Sequence, residues 1–282
     1  MISIITPTYN REQLVQTTIK SIQAQTFTDW ELIIVDDGST DNTENAIRPF
    51  LQDSRISYVK KANSGQAASL NVGVSNAKGE FITFLDSDDE AYPEWLATVI
   101  QEMKDDTGIA CSCAIRKFMD GSIIEEDLGE FHLFGEKMML KFTCGSLFIR
   151  KELFNAIGGY DADLRANIQT DLGYRLIDQI RKTNYKIVTI RKYLIQINIH
   201  AGERIRTNWQ RKSDGGAQFL KKHFAFLKKH DPKEISNICA TIAFSNYKMN
   251  DRKKSVEYLM KAIKHNPTRI LNYFRIFKYG LM

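Results

Sequence analysis

The sequence predicts an α/β protein: a mostly parallel mixed sheet flanked by helices, with an all-helical extension behind it. Two domains are expected, residues 1–204 and residues 205–282. Three observations carry this expectation. Strand-type and helix-type segments alternate through about the first hundred residues, and such alternation builds parallel strands joined by crossover helices. The strands are near-continuous apolar runs, the pattern of strands covered on both faces. From about Thr207 onward the pattern is helical, broken at Asp231-Pro232 and again at Asn266-Pro267, because proline lacks the donor that a helix interior needs.

The elements follow in order. Ile2–Thr6 is a β-rich run that ends in the turn Pro7-Thr8-Tyr9-Asn10. Leu14, Thr18 and Ile22 recur at helical spacing and give an amphipathic helix. Glu31–Val35 is the second strand, broken by Asp36-Asp37-Gly38-Ser39-Thr40, where Asp-Gly is a turn signal. A helix to about Leu51 and a strand over Ile56–Val59 come next. A helix from about Gln66 to Ala77 and the strand Phe81–Leu85 close the series. Further on, Ile109–Phe118 and Ser122–Glu126 read as a hairpin around Asp120-Gly121, and Gly145–Ile149 as a strand. Lys151–Ile157 is a helix stopped by Gly158-Gly159, Asp171–Lys182 another helix, and Lys186–Ile199 one or two strands.

Composition bounds the class. Hydrophobic content of 43% and charged content of 26% are those of a soluble globular protein. The chain begins Met1-Ile2-Ser3-Ile4-Ile5-Thr6, without a basic segment or long apolar run, so no signal peptide is expected. No stretch reaches the roughly 18 apolar residues that a membrane span requires. Cys111, Cys113, Cys144 and Cys239 have neither zinc-ligand spacing nor a disulfide framework, so reduced thiols in a cytoplasmic protein are expected. The formal charge of +5 is concentrated late, in Arg204-Ile205-Arg206, Arg211-Lys212, Lys221-Lys222, Lys228-Lys229 and Arg252-Lys253-Lys254. Such clusters suit phosphates or anionic lipid headgroups, or simply form a solvated helix surface. No nucleic-acid partner is expected.

The chemistry-bearing residues stand at strand ends. Ligands of open parallel sheets bind beyond the carboxyl ends of the strands, and Thr6–Asn10, Asp36–Thr40 and Asp86–Asp89 all lie there. The last group is the most informative. An apolar strand runs directly into Asp86, Asp88 and Asp89, and carboxylates at a buried strand end call for a counterion. Side chains alternate along an extended chain, so Asp86 and Asp88 project to one side. Two hard oxygen donors suit Mg2+ or Mn2+ completed by substrate phosphates. The plain alternative is a solvated acidic loop capping the helix near Pro93.

Four motifs stand in order: Ile4-Ile5-Thr6-Pro7-Thr8-Tyr9-Asn10-Arg11; Ile33-Ile34-Val35-Asp36-Asp37-Gly38-Ser39-Thr40-Asp41; Asn63-x-Gly65 with Asn71-x-Gly73; and Phe84-Leu85-Asp86-Ser87-Asp88-Asp89. Over roughly residues 1 to 200 the sequence resembles family-two glycosyltransferases. These are inverting enzymes of the GT-A, Rossmann-like fold that use nucleotide-diphosphate sugars, mostly UDP-sugars. The resemblance implies that Thr6, Pro7, Thr8 and Tyr9 wrap the nucleoside. It implies that Asp37, an acceptor-only carboxylate, takes the uracil N3–H, with Asp36 ranked below it as a turn residue. Asn63 and Gly65 would approach the nucleotide, while Asn71 and Gly73 serve either the site or helix packing. Asp86 and Ser87 would lie on the donor nucleotide, and Asp88 would bind Mn2+ or Mg2+. Asp89 is the less certain member, a turn cap in the plain reading. His200 resembles a late family histidine that completes the metal site or contacts a phosphate. Thr143-Cys144-Gly145-Ser146 resembles an acceptor-side segment.

The proton acceptor departs from the family's pattern. The family carries Glu-Asp just ahead of a helix start that Asp171-Leu172-Gly173-Tyr174-Arg175 matches, but Ile168 and Gln169 occupy those places here. Inverting transfer needs a carboxylate to take the acceptor's proton. Asp171 is the expected base, with Asp161 or Asp163 or an inactive site as alternatives, and a helix N-cap as Asp171's structural role. Near the far end, Asn246–Pro267 resembles one tetratricopeptide-type helix pair, marked by Tyr258, Ala262 and Pro267. One such repeat needs a neighbour, the rest of the chain or a second copy. The aromatic and basic stretch Ile270–Tyr279 reads either as packed on the preceding helices or as lying on a membrane surface. The expected function is transfer of a sugar from a UDP-sugar to a glycan, lipid-linked or glycoprotein acceptor in cell-surface glycan synthesis. The expected location is the cytoplasm or the inner face of the membrane. The alternative is a nucleotide-binding scaffold subunit with impaired catalysis.

Overall fold

The computed structural model describes residues 1–200 and 208–280. The Arg204-Ile205-Arg206 cluster and the boundary expected at 204/205 lie outside the described residues. The chain divides into two compact units, the first made of residues 1–129, 139–162 and 169–200, the second of residues 130–138, 163–168 and 201–282. The helical unit therefore takes in two short stretches from earlier in the chain, and no local pattern signals that recruitment.

In the first unit the chain forms β1 (Ile2–Thr8), α1 (Leu14–Gln23), β2 (Trp30–Asp36), α2 (Thr43–Ile47), β3 (Ile56–Lys60), α3 (Gln66–Asn76) and β4 (Phe81–Phe84). It continues through β5 (Glu90–Ala91), α4 (Trp95–Glu102), β6 (Thr107–Lys117) and β7 (Ile123–Glu126). The hairpin β8 (Gly129–Leu133) and β9 (Glu136–Leu140), most of which belongs to the second unit, forms its own two-stranded sheet. Then come β10 (Leu147–Arg150), α5 (Lys151–Ala156), α6 (Ile168–Ile180) and β11 (Lys186–Asn198). The nine-stranded sheet runs β3-β2-β1-β4-β10-β6-β11-β5, with β7 on β6. β3, β2, β1 and β4 are mutually parallel, and β10 enters antiparallel to both β4 and β6. β11 pairs parallel with β6 through register shifts near Ile190 and Tyr193, so the stretch expected as one or two strands is one irregular strand.

Burial explains the apolar runs. Every residue of β1 and of β4 is buried, which the covering helices require. On one face Ile2, Ile4, Leu32 and Ile34 pack with Val15, Ile19 and Ile22 of α1 and with Trp95. On β1, Gly73 of α3 meets Ile5 so closely that a Cβ would lie 2.2 Å from Ile5 Cγ2. Asn71 accepts from Tyr160 N at 2.8 Å and donates to Tyr160 O at 2.8 Å. Of the two roles open to this pair, the structure supports helix packing. The β8–β9 turn carries Phe134 (φ 57°) and Gly135 (φ 81°). Asn-Gly or Asp-Gly marks such turns in sequence, and phenylalanine does not, which is why the hairpin was not expected.

The second unit holds α7 (Trp209–His230), α8 (Pro232–Lys248), α9 (Arg252–His265) and α10 (Ile270–Gly280). Asp231 caps α8 by accepting from Glu234 N, with Pro232 at its first turn, and Asp251 caps α9 by accepting from Lys254 N. Ala243, Leu259 and Tyr279 form a buried cluster with Tyr247, Tyr258 and Ile276 against it.

Candidate active site at the carboxyl edge of the sheet

The site begins where β1 and β2 end side by side, with Thr8 opposite Asp36. Asp36 is buried and spent on structure. Its Oδ1 accepts from Ser39 N at 2.7 Å and its Oδ2 from Tyr58 Oη at 2.6 Å. Next to it Gly38 takes φ 80°, and a Cβ there would sit 3.0 Å from Asn63 N, so only glycine lets the 61–63 loop pass so closely. Asn10 laces the two turns, donating its N–H to Ser39 Oγ at 2.9 Å and accepting from Thr40 N at 2.9 Å. Tyr9 beside it is exposed. The buried Thr6 and Thr8 hydroxyls meet no hydrogen-bond partner among the described residues.

Asp37 organises the next loop. Its Oδ1 accepts from Ser64 N at 2.9 Å and from Lys61 Nζ, and its Oδ2 accepts from Gly65 N at 2.8 Å. Burial pushes this carboxyl up, but Lys61 and the two backbone N–H groups outweigh burial and hold it below the ordinary 3.8. A depressed carboxyl stabilises the fold above its unfolded value and loses that contribution as pH falls through its folded value. Lys61→Met should therefore melt below wild type at neutral pH, and the gap should close as pH falls below 3.8. Melting followed by circular dichroism across that range checks this, and a pH-independent gap would refute it.

Gly65 (φ 94°) leads directly into α3, and its neighbour Gln66 donates Nε2–H to Asp86 Oδ1 at 2.9 Å. One short stretch thus ties the Asp37 turn to the acidic cluster. Asp86, Asp88 and Asp89 each offer a carboxylate oxygen within 4.8 Å of the others. Asp88 Oδ2 and His200 Nε2 are 2.7 Å apart, with 15% of the Asp88 side chain and 19% of the His200 side chain exposed. Asp89 is buried and accepts from Asn198 N at 2.9 Å, while Asn198 Nδ2 donates to Asp88 O at 3.0 Å. The end of β11 therefore clasps the acidic turn and delivers His200 to it. Clustered hard oxygens with an imidazole at their rim fit a divalent cation.

Gly145 brings the other wall. Its N–H reaches Phe84 O, Trp95 Nε1 donates to its carbonyl at 2.9 Å, and a Cβ at its φ of 77° would lie 2.8 Å from Ile195 Cγ1. Cys144 is buried there, its thiol pushed well up by burial and then by the nearby Asp86 carboxylate. Gln169 donates Nε2–H to Cys144 Sγ at 3.0 Å and accepts from Tyr160 Oη at 2.8 Å. The glutamine that replaces the expected acid is thus held between Cys144 and Tyr160. Asp171, the expected base, stands in the first turn of α6. It is 0% exposed, and its Oδ2 accepts from Arg175 Nε at 2.9 Å and Nη2 at 2.6 Å. Arg175 Nη1 in turn donates to Ile157 O and Gly159 O at 2.9 and 2.6 Å. This geometry clamps the turn before α6, and the Asp171 carboxylate presents no open face to an acceptor hydroxyl. Asp161 is half-buried and Asp163 exposed.

Sequence reasoning singled out Asp86, Asp88 and His200, which the fold brings together, and Asp37 and Gly65, which hydrogen-bond to each other. Pro7 is buried in β1, Asn63 is exposed beside Gly38, and Ser87 is buried between the two aspartates. It missed Gln66, Lys61 and Asn198, common polar residues whose roles arise only from pairing across loops.

A parallel sheet with a cluster of carboxylates at its carboxyl edge, joined by an antiparallel strand, is the GT-A architecture. The chain belongs to glycosyl transferase family 2, whose profile matches residues 3–160. The GalNAc(5)-diNAcBac-PP-undecaprenol beta-1,3-glucosyltransferase of Campylobacter jejuni is 38% identical over 133 residues, 46% of this chain and 42% of that protein. An uncharacterized glycosyltransferase of Rickettsia conorii is 38% identical over 125 residues, 44% of this chain and 21% of that one. The chain thus spans less than half the length of either relative. Among solved structures, S. aureus TarS 1–349 in complex with UDP-GlcNAc superposes with a TM-score of 0.66 at 18% identity, over 95% of this chain and 82% of that one. Mannosyltransferase PcManGT from Pyrobaculum calidifontis, in complex with GDP-Man and Mn2+, does so at 0.56 and 17%, over 94% and 73%.

Proposed function

We propose that the chain is a metal-dependent inverting glycosyltransferase that moves a sugar from a UDP-sugar to a glycan, lipid-linked or protein-linked acceptor. One observation carries the reading: the continuous link Asp37–Gly65–Gln66–Asp86 joins the nucleoside-type turn to the carboxylate cluster. Asp88 and His200 would hold Mn2+ or Mg2+, with Asp86 and Ser87 on the donor. The ion, when bound, neutralises the charge that gathers on a departing nucleoside diphosphate. The chain's own groups bind and orient. Thr6, Pro7, Thr8 and Tyr9 line the nucleoside side, and the two orphaned threonine hydroxyls are donors awaiting an acceptor. Asp37, with Asn63 and Gly65 beside it, offers carboxylate oxygens to an imide N–H. A cytoplasmic location and the domain limits 1–204 and 205–282 belong to the same reading.

A second reading has its own support. Gln169 holds no proton-accepting carboxylate where the family resemblance implies an acid, and Asp171 is engaged by Arg175. That combination fits a nucleotide-binding scaffold of impaired catalysis. Calorimetry with UDP and Mn2+, run beside a turnover screen across donor sugars and glycan acceptors, separates the two. The first reading expects tight Mn2+-dependent UDP binding together with turnover. Binding without any turnover would hand the case to the second, and no binding would overturn both.

A further inference from the structure

Helix α10 carries two apolar stripes on opposite sides. Asn272, Ile276 and Tyr279, spaced i, i+4, i+7, face inward. Tyr279 stacks on Tyr247 at 4.2 Å and 17°, Ile276 packs on the same cluster, and Asn272 Nδ2 reaches Ser236 Oγ at 3.3 Å. That stripe alone accounts for the docking of the helix on its neighbours. Ile270, Phe274 and Phe277 repeat the same spacing on the other side and are 66%, 66% and 65% exposed. Leu271 and Tyr273 widen that face. A solvated helix normally keeps polar residues there.

Charge identifies the occupant. No aspartate or glutamate follows Glu257, whereas Lys261, Lys264, Arg269, Arg275 and Lys278 do. On a helical projection exposed Lys278 borders the exposed stripe on one side, with half-buried Arg275 beyond it toward the inward stripe. Arg269 is turned to Asn237. Apolar and aromatic side chains bordered by cations match the headgroup boundary of an anionic bilayer, where rings enter the acyl edge and cations meet lipid phosphates. A second copy docked through the same face about a two-fold axis would instead set these cations against their own copies. We infer that α10 is a lipid-docking helix, inserting Ile270, Phe274 and Phe277 into an anionic membrane surface with Lys278 on its headgroups. This inference rests on the helical unit alone and stands apart from the sugar-transfer reading.

The test is flotation of the full chain with vesicles of phosphatidylglycerol or of phosphatidylcholine, with no nucleotide or sugar present. Wild type should float with phosphatidylglycerol and not with phosphatidylcholine, and raised salt should weaken the association. Phe274→Ser with Phe277→Ser should cut the partition at least about tenfold. Lys278→Glu should cut it by roughly fivefold or more. Phe274, Phe277 and Lys278 all lie on the outer side of the helix, so these variants keep its packing. Failure of wild type to float with phosphatidylglycerol overturns the inference, as does equal flotation of wild type and both variants. A dimer in light scattering that Phe274→Ser with Phe277→Ser turns into a monomer, without vesicle binding, would assign the face to a second copy instead. Retention by an acidic protein surface with no flotation would likewise replace the bilayer.

Discussion

Asp88→Ala is expected to lower donor turnover by about a hundredfold or more while leaving the fold intact. Removing one group that stabilises developing negative charge costs this much in comparable sites. Asp88 carries the effect because its Oδ2 lies 2.7 Å from His200 Nε2 and 15% of its side chain is exposed. Asp89, by contrast, is buried on the Asn198 N–H. The loss should appear as weaker UDP binding in Mn2+, with metal-free binding little changed, since the Asp37 turn proposed for the imide is untouched. Calorimetry with and without Mn2+, beside turnover with the same donor, reads both. Undiminished turnover in Asp88→Ala would remove the metal from the proposed function, and an equal fall in metal-free binding would make Asp88 a structural residue.

The second large effect concerns stability. Asp171→Ala should destabilise the chain by about 3 kcal/mol, because breaking a buried ion pair strands the remaining charge. Here the stranded group is Arg175, which also holds Ile157 O and Gly159 O. A substantially lower thermal midpoint is expected, with turnover per folded molecule nearly unchanged below it. The contrary result, an unchanged midpoint and abolished turnover, would restore Asp171 as the proton acceptor despite its burial. The motif match placed this aspartate well in the chain but could not reveal its partner. The i, i+4 spacing of Asp171 and Arg175 was visible, yet such pairs are common on solvated helix faces, and only burial gives this one weight.

Other elements divide along the same line. The parallel half of the sheet was legible because apolar runs, turn residues and amphipathic spacing all act within a few residues. The ends shifted by a residue or two: β1 continues through Thr8 and β2 through Asp36, since pairing with a neighbour extends a strand beyond its apolar run. The antiparallel entry of β10, the β8–β9 hairpin and the recruitment of residues 130–138 and 163–168 to the helical unit were not legible. Each depends on partners far away in the chain. Within the site, Asp36 and Asp37 are chemically alike in sequence, and their separate duties follow from what faces them: Ser39 and Tyr58 for one, Lys61, Ser64 and Gly65 for the other.

What the sequence determined alone was the alternation of elements, the family's motif order and the three aspartates at one strand's end, because side-chain type and short-range periodicity are local properties. Tertiary structure decided which of these groups meet. It set Gln66 on Asp86 and His200 on Asp88, committed Asp171 to Arg175, and left one side of α10 uncovered. Burial and pairing between distant segments exist only once the chain has closed on itself, and they determine whether a carboxylate is free to bind, held in a clamp, or buried.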